Sequence, residues 1–462
     1  KQSVRTMAKR IIILLDGTWN DVEFSKQDTN IVRLRNIISA NLGSGSAILA
    51  KAVRGPELKP GQKIAAGRTT SDGQENLVFY ERGVGTNGID KIRGGLLGEG
   101  LDVSVRSAYR FLSFYYRPGD SIFVFGFSRG AYSARTLVGY IGAAGLLKRD
   151  SCTRHLEGVA WAFYRTPPND RLPGVWASLT PYVHNRDDFR IDCLGVFDTV
   201  GALGVPLNLF SRLNRNRFEF HSVELSSITK VNLQALAIDE HRQPFQAAVW
   251  RKPRFKSLSS VTEQVWFSGV HADIGGGYWT DEQRHQWGVA ADDISLDWML
   301  KRIGHFFPQF PFRPGHDWAT VGDSWSFSPT HNSRSLPFRL MPSALRVINN
   351  SSVLRGRAFE TIVCQDRNAD PIGEMVHVST LSRLGARVYD GDVMANYYPH
   401  NLMASLNTIE VTYGFSKKTS GEYDLLVVDW SGVPMSPKNP GDVSRICTLL
   451  ASARSRMQVP AH

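Results

Sequence analysis

The sequence predicts an α/β protein in which a mostly parallel β-sheet carries helices on both faces. Ile11–Leu15 and Ser121–Phe125 are short apolar runs of the length and composition of strands buried on both sides. Between them, Leu101–Tyr116 places apolar residues at helical spacing before a Pro-Gly breaker. Strands that alternate with helices in this way are typical of parallel sheets.

The later elements continue this alternation. A helix is expected over Ala131–Ala144, separated from the strand that ends at Phe125 only by the turn Gly126–Gly130. Three further short apolar runs, each followed by a Gly-rich turn, are predicted to be strands: Leu77–Tyr80, Leu194–Phe197 and Val265–Phe267. Because ligands of such sheets bind at the carboxyl ends of the strands, these turns are where a site is expected.

The chain is predicted to consist of a catalytic domain over residues 10–325 and a C-terminal extension over 326–462 that packs on the core. Lid-like or surface insertions are expected at about 41–75, 156–190 and 203–232. The pattern beyond residue 326 is irregular. There we predict a helix near Val378–Leu384 and strands near Thr408–Tyr413 and Leu425–Val428.

Composition indicates a water-soluble globular protein of 462 residues, with 42% hydrophobic and 21% charged residues. Its net charge of +11 comes from scattered basic residues, which predicts either simple colloidal solubility or a mild attraction to anionic surfaces such as phosphate, lipid head groups or nucleic acid. Peripheral contact with an anionic membrane is expected, and a nucleic-acid partner is not. The longest apolar stretches are too short for a transmembrane helix or a signal peptide. The four cysteines are far apart in the sequence. We therefore expect a cytoplasmic chain as synthesised, without disulfides, metal or cofactor.

The sequence Gly-Phe-Ser-Arg-Gly at Gly126–Gly130 matches the G-x-S-x-G nucleophile elbow. The pattern alone is weak, but here a predicted strand, a sharp turn and a helix follow one another as the elbow requires. The two glycines remove side chains that would collide where the chain doubles back. Ser128 is therefore the candidate nucleophile.

A serine hydroxyl needs a base, and the base needs a group that fixes its tautomer. His271 and Asp198 both follow predicted strands inside Gly-rich turns. The chain order Ser128, Asp198, His271 is that of α/β-hydrolases, which gives the predicted fold its class. Asp192 and Asp239 compete with Asp198 for the role of the acid.

An oxyanion hole needs two N–H donors. The backbone N–H of Arg129 follows the nucleophile, and Gly17 or Thr18, in an early strand-to-helix loop, is expected to supply the second donor. Asp16 is expected to hold this loop by hydrogen bonds rather than to act as a base, because Asp before Gly is a common turn former.

Two competing patterns are present. Gly83–Gly88 formally matches the dinucleotide fingerprint, but several glycines follow it and weaken the helix that the fingerprint requires. We expect a loop at the mouth of the site instead. A metal site would use His271 and Asp273 with Asp16 or Asp198, since carboxylates at strand ends can converge.

Five segments, in order, resemble the α/β-hydrolase family that includes type VI secretion phospholipase effectors of the first lipase class. They are Asp16–Asn20, Gly83–Thr86, Gly126–Ala131, Val196–Ala202 and Gly269–Gly277. The resemblance implies a Ser-Asp-His triad at Ser128, Asp198 and His271, action on ester bonds of lipids, and export by a dedicated secretion system. The stretch from Met375 to Asn401 also resembles the family's later segment, which makes His377 a rival base.

The leading hypothesis is a serine esterase or lipase that hydrolyses carboxylic esters of lipids, with phospholipids among the candidates, through an acyl-enzyme. The alternatives are a metal-dependent phosphoesterase and a catalytically inactive basic binding module on the same fold. The segment Val205–Phe220 mixes apolar residues with Arg212, Arg215 and Arg217, and we expect it either to form a lid that touches anionic lipid or to pack as an ordinary helix or loop.

Overall fold

The protein is described by a computed structural model. The ranges that it describes are 8–17, 28–38, 63–82, 96–200, 225–242, 245–252, 259–278, 288–312, 322–334, 343–349, 360–362, 371–391, 393–417 and 423–458.

The described residues form thirteen strands, nine of which build one central sheet. In chain order the strands are β1 (Arg10–Leu15), β2 (Lys63–Ser71), β3 (Gln74–Arg82), β4 (Ser121–Phe127), β5 (Ile191–Phe197), β6 (Thr229–Ala237), β7 (Val261–Phe267), β8 (Ser343–Leu345), β9 (Glu360–Ile362), β10 (Glu374–His377), β11 (Arg387–Asp390), β12 (Val393–Asn396) and β13 (Leu426–Val428). The central order is β13-β10-β7-β6-β5-β4-β1-β3-β2, and every neighbouring pair is parallel except β2 with β3. The prediction of a mostly parallel sheet is confirmed.

Ten α-helices accompany these strands within the described residues. They are α1 (Asn30–Ile38), α2 (Leu96–Tyr115), α3 (Arg129–Ala144), α4 (Arg154–Arg165), α5 (Pro173–Leu179), α6 (His271–Gly275), α7 (Ala291–Phe306), α8 (Val378–Arg383), α9 (His400–Thr412) and α10 (Pro440–Gln458). No helix in the described ranges is long and apolar enough to cross a membrane.

The central strand β1 shows why its sequence is continuously apolar. Ile11 and Ile13 point into a core shared with α2 and α3, whereas Ile12 and Leu14 point into a second core shared with α1 and α7. Successive side chains of a strand face opposite sides, so a sheet covered on both faces needs apolar residues at every position. All four side chains are fully buried.

Two predicted elements after residue 326 are confirmed and one is wrong. The helix α8 and the strand β13 lie where they are expected. The segment Thr408–Tyr413 is not a strand, since α9 runs over His400–Thr412. Its β-branched residues favour a strand locally, but Leu402, Ser405 and Ile409 are buried at helical spacing. Packing of that face therefore outweighs the local preference.

The predicted insertions are only partly separate from the sheet. Residues 63–71 of the first insertion form β2, which pairs with β3 through the two-residue turn Asp72-Gly73, both in the left-handed region. Residues 156–190 contain most of α4 and all of α5. The predicted bounds of the third insertion are too long, because β6 begins at Thr229, and residues 201–224 lie outside the described part of the chain. Sequence reasoning also missed β6 and α7.

The central sheet continues past residue 326. Strands β10 and β13 extend it beyond β7, with Val376 paired to Trp266 and Val427. The division of the chain at residue 325 stays a prediction.

One glycine sets how closely a helix approaches the sheet. A Cβ atom on Gly130, in the first turn of α3, would lie 2.1 Å from the carbonyl oxygen of Leu15 at the end of β1. Because backbone cannot yield as a side chain can, Gly130→Ala should lower the free energy of unfolding by about 1–3 kcal/mol. Denaturant unfolding measures this. The control is Gly158→Ala in α4, where a Cβ meets nothing within 4 Å; it should stabilise by up to about 1 kcal/mol. Equal effects of the two substitutions would contradict this account.

Candidate active site

Ser128 occupies a strained turn between β4 and α3. Its backbone has φ 58° and ψ −122°, a region that non-glycine residues rarely adopt. The Ser128 N–H donates to the carbonyl of Phe197 at 3.1 Å, which fastens the turn to β5. A Cβ on Gly126 would lie 2.5 Å from the carbonyl oxygen of Gly130. The glycines therefore permit the sharp reversal that holds the serine at the end of the strand.

His271 is the first residue of α6, four positions after the end of β7. Its Nε2 lies 2.8 Å from Ser128 Oγ. The imidazole is fully buried, with the rings of Phe127 and Phe245 against it at centroid distances of 4.8 and 5.1 Å. Packing therefore fixes the plane of the ring.

Asp198 follows β5 directly, with φ 37°, and its Oδ2 lies 2.5 Å from His271 Nδ1. Its Oδ1 accepts the N–H of Ala237 at 2.9 Å. The structure thus brings Ser128, His271 and Asp198 into one hydrogen-bonded chain, although they are far apart in sequence.

The electrostatics of this chain assign its protonation states near neutral pH. Burial lowers the pKa of His271, and its hydrogen bond to Asp198 opposes that shift only in part. Burial would raise the pKa of Asp198, but the Arg346 guanidinium and the bond from His271 outweigh it and bring the pKa to about 2. The carboxylate is ionised and the imidazole neutral. With a proton on Nδ1, Nε2 is left to accept from the serine hydroxyl.

Sequence reasoning missed Arg346. Its two Nη atoms donate to the two carboxylate oxygens of Asp198 at 2.6 and 3.0 Å, a bidentate pair inside the protein. Arg346 follows β8, 148 residues from Asp198, and belongs to none of the sequence motifs. An isolated arginine in an irregular segment carries no local signal of such a contact.

The competing residues lie in other hydrogen-bonded groups. Asp192 is at the start of β5, the opposite end from Ser128, and binds Lys230 at 2.7 Å. Asp239 accepts from the Gly269 N–H and the Tyr397 hydroxyl.

The rival base His377 also lies elsewhere. Its Nδ1 lies 2.8 Å from Ser379 Oγ, and its ring stacks on Phe267. Burial lowers its pKa to about 3. Its observed contacts hold the start of α8.

The loop after β1 is organised by Asp16. Its carboxylate accepts from the Gly17 N–H at 2.8 Å, from the Thr29 hydroxyl and from the Tyr80 hydroxyl at 3.0 Å. Gly17 N–H therefore already has an acceptor within the loop, and Thr18 lies outside the described residues. Arg129 is the first residue of α3.

The residues of the metal alternative are directed to different partners. Asp273 accepts from the His331 N–H at 2.9 Å, and its Oδ1 lies 2.6 Å from His331 Nδ1. Asp16 binds its own loop, and Asp198 faces His271. Among the described residues no group of three His, Cys, Asp or Glu side chains is arranged to hold a metal ion. Gly83–Gly88 lies outside the described part of the chain.

Comparison with known proteins identifies one family. A family model described as the T6SS phospholipase effector Tle1-like catalytic domain matches residues 9–302. A curated relative, the uncharacterized protein YEL023C of Saccharomyces cerevisiae, is 27% identical over 278 residues, which cover 55% of this chain and 34% of that protein. The chain thus spans about a third of the length of this relative.

Two solved structures are distantly similar. One is the Tle1 effector bound to the VgrG spike of the type 6 secretion system, with 19% identity, a TM-score of 0.28, and coverage of 59% of this chain and 51% of that one. The other is an uncharacterized protein from Pseudomonas aeruginosa, with 17% identity, a TM-score of 0.37, and coverage of 69% and 48%.

The Asp16 carboxyl generates a prediction on pH and stability. Burial raises its pKa to about 6, above the ordinary value of 3.8, although Thr29, Gly17 and Tyr80 donate to it. A raised carboxyl pKa contributes stability that is present at low pH and lost as pH rises through 6. Between about pH 4 and pH 7, Asp16→Asn should therefore gain up to about 3 kcal/mol in unfolding free energy relative to the wild type. Denaturant unfolding across this range measures it, and a pH-independent difference would contradict the assignment.

Proposed function

The chain belongs to the family of the type VI secretion Tle1-like phospholipase effector catalytic domain, and from that premise we propose that it hydrolyses carboxylic ester bonds of phospholipids with Ser128 as nucleophile. The observation that carries the proposal is the 2.8 Å contact between Ser128 Oγ and Nε2 of a buried His271. A nucleophile in hydrogen-bond contact with a base, itself oriented by a third group, is the signature of serine hydrolases.

In the proposed first step, His271 Nε2 takes the hydroxyl proton as Ser128 Oγ attacks the ester carbonyl carbon. The imidazole becomes a cation, and the adjacent Asp198 carboxylate stabilises it without taking its proton. Because the pKa of Asp198 is about 2, this carboxylate is charged near neutral pH. The tetrahedral intermediate carries the negative charge on the former carbonyl oxygen.

That oxygen needs N–H donors. The N–H of Arg129, at the N-terminus of the 16-residue helix α3, is proposed as one, and the helix dipole favours negative charge there. Gly17 or Thr18 is proposed for the other. Gly17 can fill the role only if its N–H exchanges its present bond to Asp16 for one to the substrate.

Collapse of the intermediate breaks the carbon–oxygen bond to the leaving alcohol, which receives the proton from His271 Nε2. The acyl group is left on Ser128. Water then attacks this acyl-enzyme, with His271 again as the base, and releases the fatty acid and the free serine. The hydroxyl proton of Ser128 thus leaves with the alcohol, and a proton of the attacking water, passed through His271 Nε2, replaces it on Ser128 Oγ.

Ser128 exposes only 2% of its surface, and we propose that a lipid reaches it when a covering segment moves. We propose that the segment 205–220, with Arg212, Arg215 and Arg217, is the cover and that it contacts anionic lipid. This segment lies outside the described residues. Export through a type VI secretion system is proposed from the family alone.

A fluorophosphonate probe tests the nucleophile. The wild type should be labelled on Ser128, and Ser128→Ala should not be labelled, because no other serine in the proposed mechanism is activated. Asp198→Asn should lower ester turnover by up to about 10⁴-fold, and His271→Ala should lower it at least as far. The matched control is His377→Gln, a buried histidine outside the hydrogen-bonded chain, which should keep both labelling and turnover. Labelling at a serine other than Ser128, confirmed by peptide mapping, would refute the assignment.

The products test the substrate class. Phospholipid vesicles incubated with the protein should yield fatty acid and lysophospholipid in equal amounts, because the proposed step breaks a carboxylic ester and leaves the phosphate on the lipid. The reaction should proceed unchanged in EDTA. Release of the phosphate head group, or activity that EDTA abolishes, would favour a metal-dependent phosphoesterase. Mass spectrometry of the lipid extract distinguishes these results.

A further inference from the structure

Arg346 makes four hydrogen bonds at the back of the proposed triad. It is 5% exposed and lies directly after β8. Its Nη1 donates to Asp198 Oδ1 at 2.6 Å and to the Ala237 carbonyl at 2.8 Å. Its Nη2 donates to Asp198 Oδ2 at 3.0 Å and to the Phe245 carbonyl at 2.6 Å. The guanidinium is thus fixed at both of its terminal nitrogens.

We propose that Arg346 is a positioning residue for ester hydrolysis, one that sets the plane of the Asp198 carboxylate and tempers the basicity of His271. The inference rests on the proposed function and goes beyond it, since the proposed reaction steps assign no role to an arginine side chain. A planar guanidinium that binds both oxygens of a carboxylate leaves it one orientation. In that orientation Oδ2 points at His271 Nδ1, 2.5 Å away.

The same arginine also holds a second neighbour of the imidazole. The Phe245 ring lies edge-on to His271, and the Phe245 carbonyl is one of the four acceptors of Arg346. Arg346 also donates to the carbonyl of Ala237, the last residue of β6, and the backbone N–H of Ala237 donates to Asp198. The guanidinium therefore contacts the Phe245 backbone as well, but the proposed effect on His271 runs through the Asp198 carboxylate.

The charges that face His271 determine the sign of the electrostatic effect. Asp198 raises the pKa of the imidazole, and so does Glu240, whose Oε2 accepts a hydrogen bond from the backbone N–H of His271 at 3.3 Å. Arg242, paired with Glu240, lowers it. Arg346 neutralises part of the Asp198 charge, so its removal should make the imidazole more basic.

Asp273, two positions after His271 in α6, is paired with His331. The four hydrogen bonds of Arg346 go to Asp198, Ala237 and Phe245, so a substitution at Arg346 removes no bond of the Asp273–His331 pair.

The test compares the pH dependence of ester hydrolysis in the wild type, Arg346→Lys and Arg346→Met over about pH 5–9. Arg346→Met should lose roughly 10²-fold in kcat, because the triad is misplaced. The acidic limb of its kcat/KM profile should move up by about 1 pH unit, because a more basic His271 protonates earlier. Arg346→Lys keeps the positive charge but cannot bind both carboxylate oxygens as a planar guanidinium does, so kcat should fall while the acidic limb of the kcat/KM profile stays in place.

The double variant Arg346→Met with Asp198→Asn tests the route of the effect. If Arg346 acts through Asp198, this protein should be no slower than Asp198→Asn alone. The matched control is Arg302→Met. Arg302 is similarly buried and donates two hydrogen bonds, of 2.8 and 2.6 Å, to Glu263, and neither residue contacts the triad through these bonds. It should lower thermal stability and leave the pH profile unchanged.

Two results would overturn the proposal. One is a folded Arg346→Met protein with the kcat and pH profile of the wild type, and the other is a double variant far slower than Asp198→Asn. If Arg346→Met does not fold, Arg346→Lys decides, and an unchanged kcat in that variant refutes the role. Failure of the proposed function is a separate outcome, seen as a wild type that neither hydrolyses esters nor reacts with the fluorophosphonate at Ser128.

Discussion

The pairing of Phe127 with Phe197 in neighbouring parallel strands sets the position of the other groups at the candidate site. These are the last residues of β4 and β5, so the next residue of each strand, Ser128 and Asp198, emerges at the same edge of the sheet. The sheet hydrogen bonding continues one step further, since the Ser128 N–H donates to the Phe197 carbonyl. His271, after β7, reaches back over β6 to fill the space between the hydroxyl and the carboxylate.

Local patterns in the sequence predict the parts that depend on local physics. The apolar run of β1, the glycines around Ser128 and the turns that follow β5 and β7 each carry their own signal, and chain order suggests that Ser128, Asp198 and His271 meet. Arg346 and the helix α9 could not be predicted in this way. A buried arginine is recognisable only once its carboxylate is placed beside it, and the β-branched residues of α9 adopt the helix because of the surface on which they pack.

The site is completed by residues outside the segment that matches the family model. That match ends at residue 302, yet Arg346 orients Asp198, and His331 binds Asp273, two positions after His271 in α6. Strands β10 and β13, also from the later segment, continue the sheet from which His271 emerges. Replacing Arg346 alone would leave the buried Asp198 carboxylate without its guanidinium partner, which typically costs about 3–5 kcal/mol. The C-terminal part of the chain therefore supports the site physically.

The backbone around His271 restricts how the imidazole can move during a reaction. The backbone N–H of His271 donates to Glu240. Four residues later, Gly275 packs so tightly on Phe127 that a Cβ atom on this glycine would lie 1.9 Å from the ring. Asp198 holds Nδ1, and the Phe127 ring lies against the imidazole. A histidine fixed on these sides cannot swing between nucleophile and leaving group. In the proposed mechanism His271 Nε2 must therefore exchange protons with both Ser128 Oγ and the oxygen of the leaving alcohol from one position. The substrate must then place that alcohol oxygen within hydrogen-bond reach of Nε2.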